Sequence, residues 1–80
     1  MQVSVSGPLR AAANGLETID IQAETIRELL RKLIERYPKM ERHMKEGIAV
    51  SLDGTIYRDA RDIPIPPETE VFLLPRIQGG

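Results

Sequence analysis

At 80 residues and 9.0 kDa the chain is one small domain, because single cores divide into separate domains only in much longer chains. Its 41% hydrophobic and 29% charged residues exclude disorder by low hydrophobicity, yet leave too little apolar surface for a core plus a deep substrate cleft. Eleven basic against twelve acidic residues, 4% aromatics and no cysteine argue against nucleic acid, a disulfide framework, a thiolate metal site or a nucleophilic cysteine.

Met1-Gln2-Val3-Ser4-Val5-Ser6 lacks the basic start and apolar run of a signal peptide, and no stretch approaches the ~20 apolar residues of a membrane span. A cytoplasmic protein without a membrane partner is therefore expected. Val3 and Val5 recur with period two and predict a first strand. Gly7-Pro8 ends or bulges it. Ala11-Ala12-Ala13 fits a helical turn, while Asn14-Gly15 is a turn signal. Ile19, Ile21 and Ala23 alternate with polar residues and predict a second strand, paired with the first as a hairpin.

Thr25, with Glu28 three residues later, forms a capping-box pattern in which each side chain bonds a free backbone N–H. Behind it, Ile26, Leu29, Leu30, Leu33, Ile34 and Tyr37 make one apolar stripe on a helix that Pro38 stops. Residues 39–46 fit a short second helix, with Met40 and Met44 on one side and Gly47 at its end. Ile48, Val50 and Leu52 predict another strand, and Asp53-Gly54 a type I′ turn into Thr55-Ile56-Tyr57. Residues 58–67 hold three prolines and read as loop. The last strand, 70–74, is apolar after its first residue, so it is central in the sheet or carries an exposed apolar face. The order predicts an α+β fold, a mixed sheet of about five strands covered on one face by one main helix.

No ordinary active site is legible. His43 is the single histidine and reads as a solvated side chain, so a histidine metal cluster is excluded and no metal is expected. Neither phosphate-binding glycine loop occurs. Asp59 and Asp62 could pair as acid and base, but their proline-rich loop suggests solvated charges. Arg27, Glu28, Arg31, Lys32 and Glu35 read as the wet face of the main helix. Taken by itself, the chain is not expected to be an enzyme.

The chemistry-bearing feature is the run Pro75-Arg76-Ile77-Gln78-Gly79-Gly80. A terminal glycine has no Cβ, so its carboxylate can enter a narrow channel on another protein, and the preceding glycine adopts whatever dihedrals that channel demands. A carboxylate so placed can attack the α-phosphate of ATP and become an acyl adenylate. The nucleotide site must then belong to a partner.

The hairpin, the capped helix, the Asp53-Gly54 turn and the ending Glu70-Val71-Phe72-Leu73-Leu74-Pro75-Arg76-Ile77-Gln78-Gly79-Gly80 together resemble the ThiS/MoaD family of sulfur carriers, and most of all the small subunit of molybdopterin synthase. The resemblance covers essentially the whole chain. It implies a ubiquitin-like β-grasp domain over 1–75 and a flexible tail over 76–80. It implies that Gly80, with Gly79 before it, is adenylated by a ubiquitin-activating-type enzyme that uses ATP and Mg, then converted to a thiocarboxylate. The chain itself would bind no cofactor. The expected partners are that enzyme, a sulfur-accepting synthase subunit and a sulfur donor such as a persulfide protein. Molybdopterin-type cofactor synthesis is the favoured destination. Related carriers serve thiamine, cysteine or tungsten-cofactor synthesis, and some modify lysines. A ubiquitin-like modifier or plain interaction module is the alternative. Val71 and Leu73 are expected to face the helix, leaving Phe72 and Leu74, with Pro75, Arg76, Ile77 and Gln78, as the partner-binding surface.

Overall fold

The structure is a computed structural model that describes residues 1–58 and 60–75. Five strands, β1 (Gln2–Val5), β2 (Thr18–Asp20), β3 (Ile48–Leu52), β4 (Thr55–Tyr57) and β5 (Val71–Pro75), form one sheet in the order β2-β1-β5-β3-β4. The last strand lies at the centre. It runs parallel to β1 and antiparallel to β3, while β1–β2 and β3–β4 are antiparallel. Three helices, α1 (Pro8–Ala12), α2 (Ile26–Arg36) and α3 (Met40–Glu46), accompany the sheet.

Two expectations for the first third change. The alanines do not begin a helix; Pro8 does. Its fixed φ and missing N–H suit the first helical position, and α1 closes at Ala12, before the turn of Asn14 and Gly15, both at positive φ. The β1–β2 pair is therefore joined through a helix rather than by a tight turn. The second strand is also shorter than its alternation suggests, although Ile21 beyond it is still buried.

The start of α2 shows why the sequence folds as it does here. The first N–H groups of any helix lack intrahelical partners. In α2, Ile26 N–H donates to the Ile63 carbonyl at 3.0 Å and Arg27 N–H to that of Arg61 at 2.9 Å. Glu28 N–H donates to Thr25 Oγ1 at 3.1 Å. The reciprocal half of the expected capping box is displaced by one residue: Glu28 Oε1 accepts from Glu24 N–H at 3.1 Å. The proline-rich segment is thus irregular but anchored. Pro64 bridges Thr25, and Ile65 enters the core.

Ile26, Leu29, Leu30 and Leu33 of α2 join Val3, Val50, Val71 and Leu73 from one face of the sheet in a single buried cluster. Tyr37 and Met40 extend it toward α3, while Ile34 is half-buried at its margin. Val71 and Leu73 are fully buried, as period two along the strand requires.

Candidate functional site

Because every helix packs on one face, alternate residues of the strands stand on an uncovered face. Register fixes which. Phe72 of β5 lies opposite Ser4 of β1 and Ser51 of β3, and Ser51 lies opposite Ile56 of β4. Two residue pairs further on, and so on the same face, Leu74 lies opposite Ala49. Phe72 is 39% and Ile56 50% exposed, large values for such side chains. Leu74 and Ala49 are half-buried, and Ser51, set between Phe72 and Ile56, is buried. The result is an apolar strip of Phe72, Leu74, Ala49 and Ile56 across β5, β3 and β4. Contiguous exposed apolar patches on small domains commonly mark contact surfaces.

The strip adjoins the point where the chain leaves the sheet. Pro75, the last residue of β5, is opposite Ile48 on one side. On the other side β1 has already ended, and the segment leading into α1 passes nearby, placing Gly7 against Pro75. Pro75 lacks an N–H and is tolerated in a central strand only where pairing stops. Of the site residues named from sequence, Phe72 and Leu74 share the uncovered face and Pro75 follows on the opposite one. Arg76, Ile77, Gln78, Gly79 and Gly80 lie outside the described residues.

The other sequence candidates are accounted for locally. Asp62 Oδ1 accepts from Arg27 Nη2 at 3.0 Å and Nε at 3.2 Å, tying the proline-rich segment to α2 through two exposed side chains. Asp59 lies outside the described residues. His43 is half-buried in α3, beside a shallow groove of about 860 Å³ between α1 and α3 that Pro8, Ala12 and Arg42 also line. Among the described residues no group of three or more acidic or histidine side chains is placed to hold a metal, and no helix is long and apolar enough to cross a membrane.

Ile56 and Ala49 are the members of the strip that sequence reasoning missed, and Ile56 is the more exposed of the two. The signal was present: a two-residue turn at Asp53-Gly54 pairs Leu52 with Thr55, which puts Ile56 on the same face as Ser51 and Phe72.

No curated protein matches the chain. Among solved structures its fold is similar to that in the Amycolatopsis orientalis BexX/CysO complex, with a TM-score of 0.79 and 20% identity over 99% of this chain and 98% of that one. It is similar to Mycobacterium tuberculosis CysO, with a TM-score of 0.78 and 17% identity over 95% and 98%. It is also similar to a chain in the complex of subunits 1 and 2 of the Helicobacter pylori molybdopterin-converting factor, with a TM-score of 0.68 and 23% identity over 99% and 96%. At these identities the likeness is one of fold, the ubiquitin-like β-grasp. The model of the ThiS family matches residues 3–80, nearly the whole sequence, and the chain therefore belongs to that family of ubiquitin-like sulfur carriers.

Proposed function

We propose that the chain carries sulfur as a thiocarboxylate on Gly80 and delivers it to a synthase subunit in cofactor biosynthesis, molybdopterin-type by the pattern of its tail. The observation that carries this reading is the span of the family match, which runs through Gly79 and Gly80 in a sequence without cysteine. Sulfur must then ride on a main-chain carboxylate. The carboxylate oxygen attacks the α-phosphate of ATP on a ubiquitin-activating-type enzyme, and pyrophosphate leaves with the Mg that accompanied the nucleotide. A persulfide's terminal sulfur next attacks the acyl carbon and expels AMP, forming an acyl disulfide. A second thiol cleaves that disulfide, leaving the thiocarboxylate on Gly80 and a disulfide on the donor side.

The chain's own part is to dock and to present its end. The strip of Phe72, Leu74, Ala49 and Ile56 is the docking surface, used by the activating enzyme and the sulfur acceptor in turn, and Pro75, Arg76, Ile77 and Gln78 lead from it to the reacting carboxylate. Two of the similar structures are complexes with a second protein, which supports a carrier that works through partners. The test is intact mass after incubation with the activating enzyme, ATP, Mg and a persulfide donor. Exchange of one oxygen for sulfur at Gly80 is expected. A lysine-linked conjugate without that exchange would instead establish a protein modifier.

A further inference from the structure

Gly7 has φ 59° and ψ −137°, a backbone conformation open to glycine and costly for any L side chain. It is followed by Pro8, which confines the preceding residue to extended conformations, and Gly7 meets that demand in mirror image. An alanine here would be driven to negative φ, and the chain between β1 and α1 would swing to a different path. Among the described residues space is not the obstacle: a Cβ on Gly7 would meet Pro75 Cγ at 3.9 Å, an ordinary contact.

What the glycine backbone achieves here is placement. Immediately beyond it Leu9 is fully buried, and Leu9 and Arg10 N–H groups donate to the carbonyls of Ser6 and Gly7 at 3.3 and 3.1 Å. The segment is thereby fixed across the end of β5, beside Pro75, while Ile48 holds the other side of that proline. A simpler turn could join β1 to α1. A backbone conformation that only glycine takes without cost, placed beside the strand end that leads to the reacting carboxylate, calls for a reason at that place.

We propose that Gly7 is a positioning residue: with Pro75 and Ile48 it forms a collar that sets the direction in which the tail leaves the sheet. The proposal rests on the reading of Gly80 as the reacting terminus. Five residues separate Pro75 from the end of Gly80, at most ~18 Å of extended chain. A partner channel that requires most of that reach leaves little slack to correct a wrong departure angle, and misplacement by about 1 Å can cost on the order of a hundredfold in rate.

The test measures pyrophosphate release with the ubiquitin-activating-type enzyme that adenylates the wild-type chain, below the melting temperature of every variant. Gly7→Ala should lower turnover at saturating carrier by about tenfold or more, while the KM for carrier stays within about twofold, since docking through Phe72 is untouched. D-alanine at position 7, introduced by chemical synthesis, accepts positive φ and should restore turnover. Should Gly7→Ala fail to fold, Pro75→Ala keeps the backbone at Gly7, removes the ring from the collar and should show the same loss of turnover. Wild-type turnover in Gly7→Ala, or in Pro75→Ala where that variant stands in, would overturn the proposal. So would a rise in KM alone, or a D-alanine chain as slow as the L-alanine one. A chain lacking Gly80 is the control: if it is adenylated normally, the terminal reading fails, whatever Gly7 does.

Discussion

Asp53 and Glu70 are bonded to one another twice. Asp53 N–H donates to the Glu70 carbonyl at 2.9 Å, and Asp53 Oδ1 accepts from Glu70 N–H at 2.8 Å. The turn between β3 and β4 thereby seizes the residue before β5 and sets the register of the central strand. Slippage by one residue would exchange Val71 and Leu73 for Phe72 and Leu74 in the core. Asp53 itself sits at φ 49°, which Asp and Asn tolerate better than other side chains.

The first prediction concerns that clamp. Asp53→Ala loses a hydrogen bond and retains the positive φ, at a cost of about 1–2 kcal/mol in chemical denaturation. Asp53→Asn keeps an acceptor oxygen and the backbone preference, and should lie within about 0.5 kcal/mol of wild type. Equal losses in the two variants would mean that the side-chain bond does not hold the strand.

Adjacent residues of β5 should respond in opposite ways. Leu73 is fully buried, and truncating it to Ala should cost about 2–5 kcal/mol. Phe72→Ser on the uncovered face should cost about 1 kcal/mol or less and weaken binding to the activating enzyme, read by titration. The reverse pattern, a tolerant Leu73 and an essential Phe72, would put the register off by one.

The difference between what was and was not legible in the sequence follows from where the information sits. The stripe from Ile26 to Tyr37 and the alternation of Val71 and Leu73 are periodic, and burial follows the period. So does the two-residue turn, because both of its residues need positive φ. The segment at 61–65 has no period. Its place is fixed by the unpaired N–H groups of α2 that its carbonyls satisfy, a tertiary fact with no local signature, and so Ile65 could not be read as core. Helix α1 was obscured because its start depends on Pro8 and its anchor on only two buried residues, Leu9 and Ala12, too few to show a period. For the functional surface, Phe72 and Leu74 were readable from one strand alone, whereas Ile56 and Ala49 join them only through pairing across β3.

The start of α2 offers a third prediction. Thr25→Ala removes the acceptor for Glu28 N–H and should cost about 1 kcal/mol. Arg27→Ala should leave the melting temperature nearly unchanged, because the Arg27–Asp62 pair is exposed and the segment is held by backbone bonds to Ile26 and Arg27. A large loss in Arg27→Ala accompanied by exchange of the backbone amides at positions 26 and 27 would show that the ion pair, rather than the backbone bonds, seats the segment.

The last prediction is that tail length constrains function as tightly as composition does. On the proposed reading, the partner fixes the domain through Phe72 and Leu74 and fixes the α-phosphate in its own nucleotide site, so the Gly80 carboxylate must arrive within ~3–3.5 Å of phosphorus. One residue added after Gly80 moves the carboxylate by up to ~3.6 Å and places a different α-carbon in the channel. Deleting Gly80 falls short by the same reach. Either change should abolish ATP-dependent pyrophosphate release while leaving denaturation and the binding titration through Phe72 nearly unaltered. Gly80→Ala keeps the length and adds one Cβ that must fit where a glycine has none, so it should be slowed rather than silent. The three variants together separate length from bulk: a graded loss, complete for the two length changes and partial for alanine, is expected. Normal adenylation of the extended chain would refute the carrier reading, because its terminal carboxylate would then be read without regard to position.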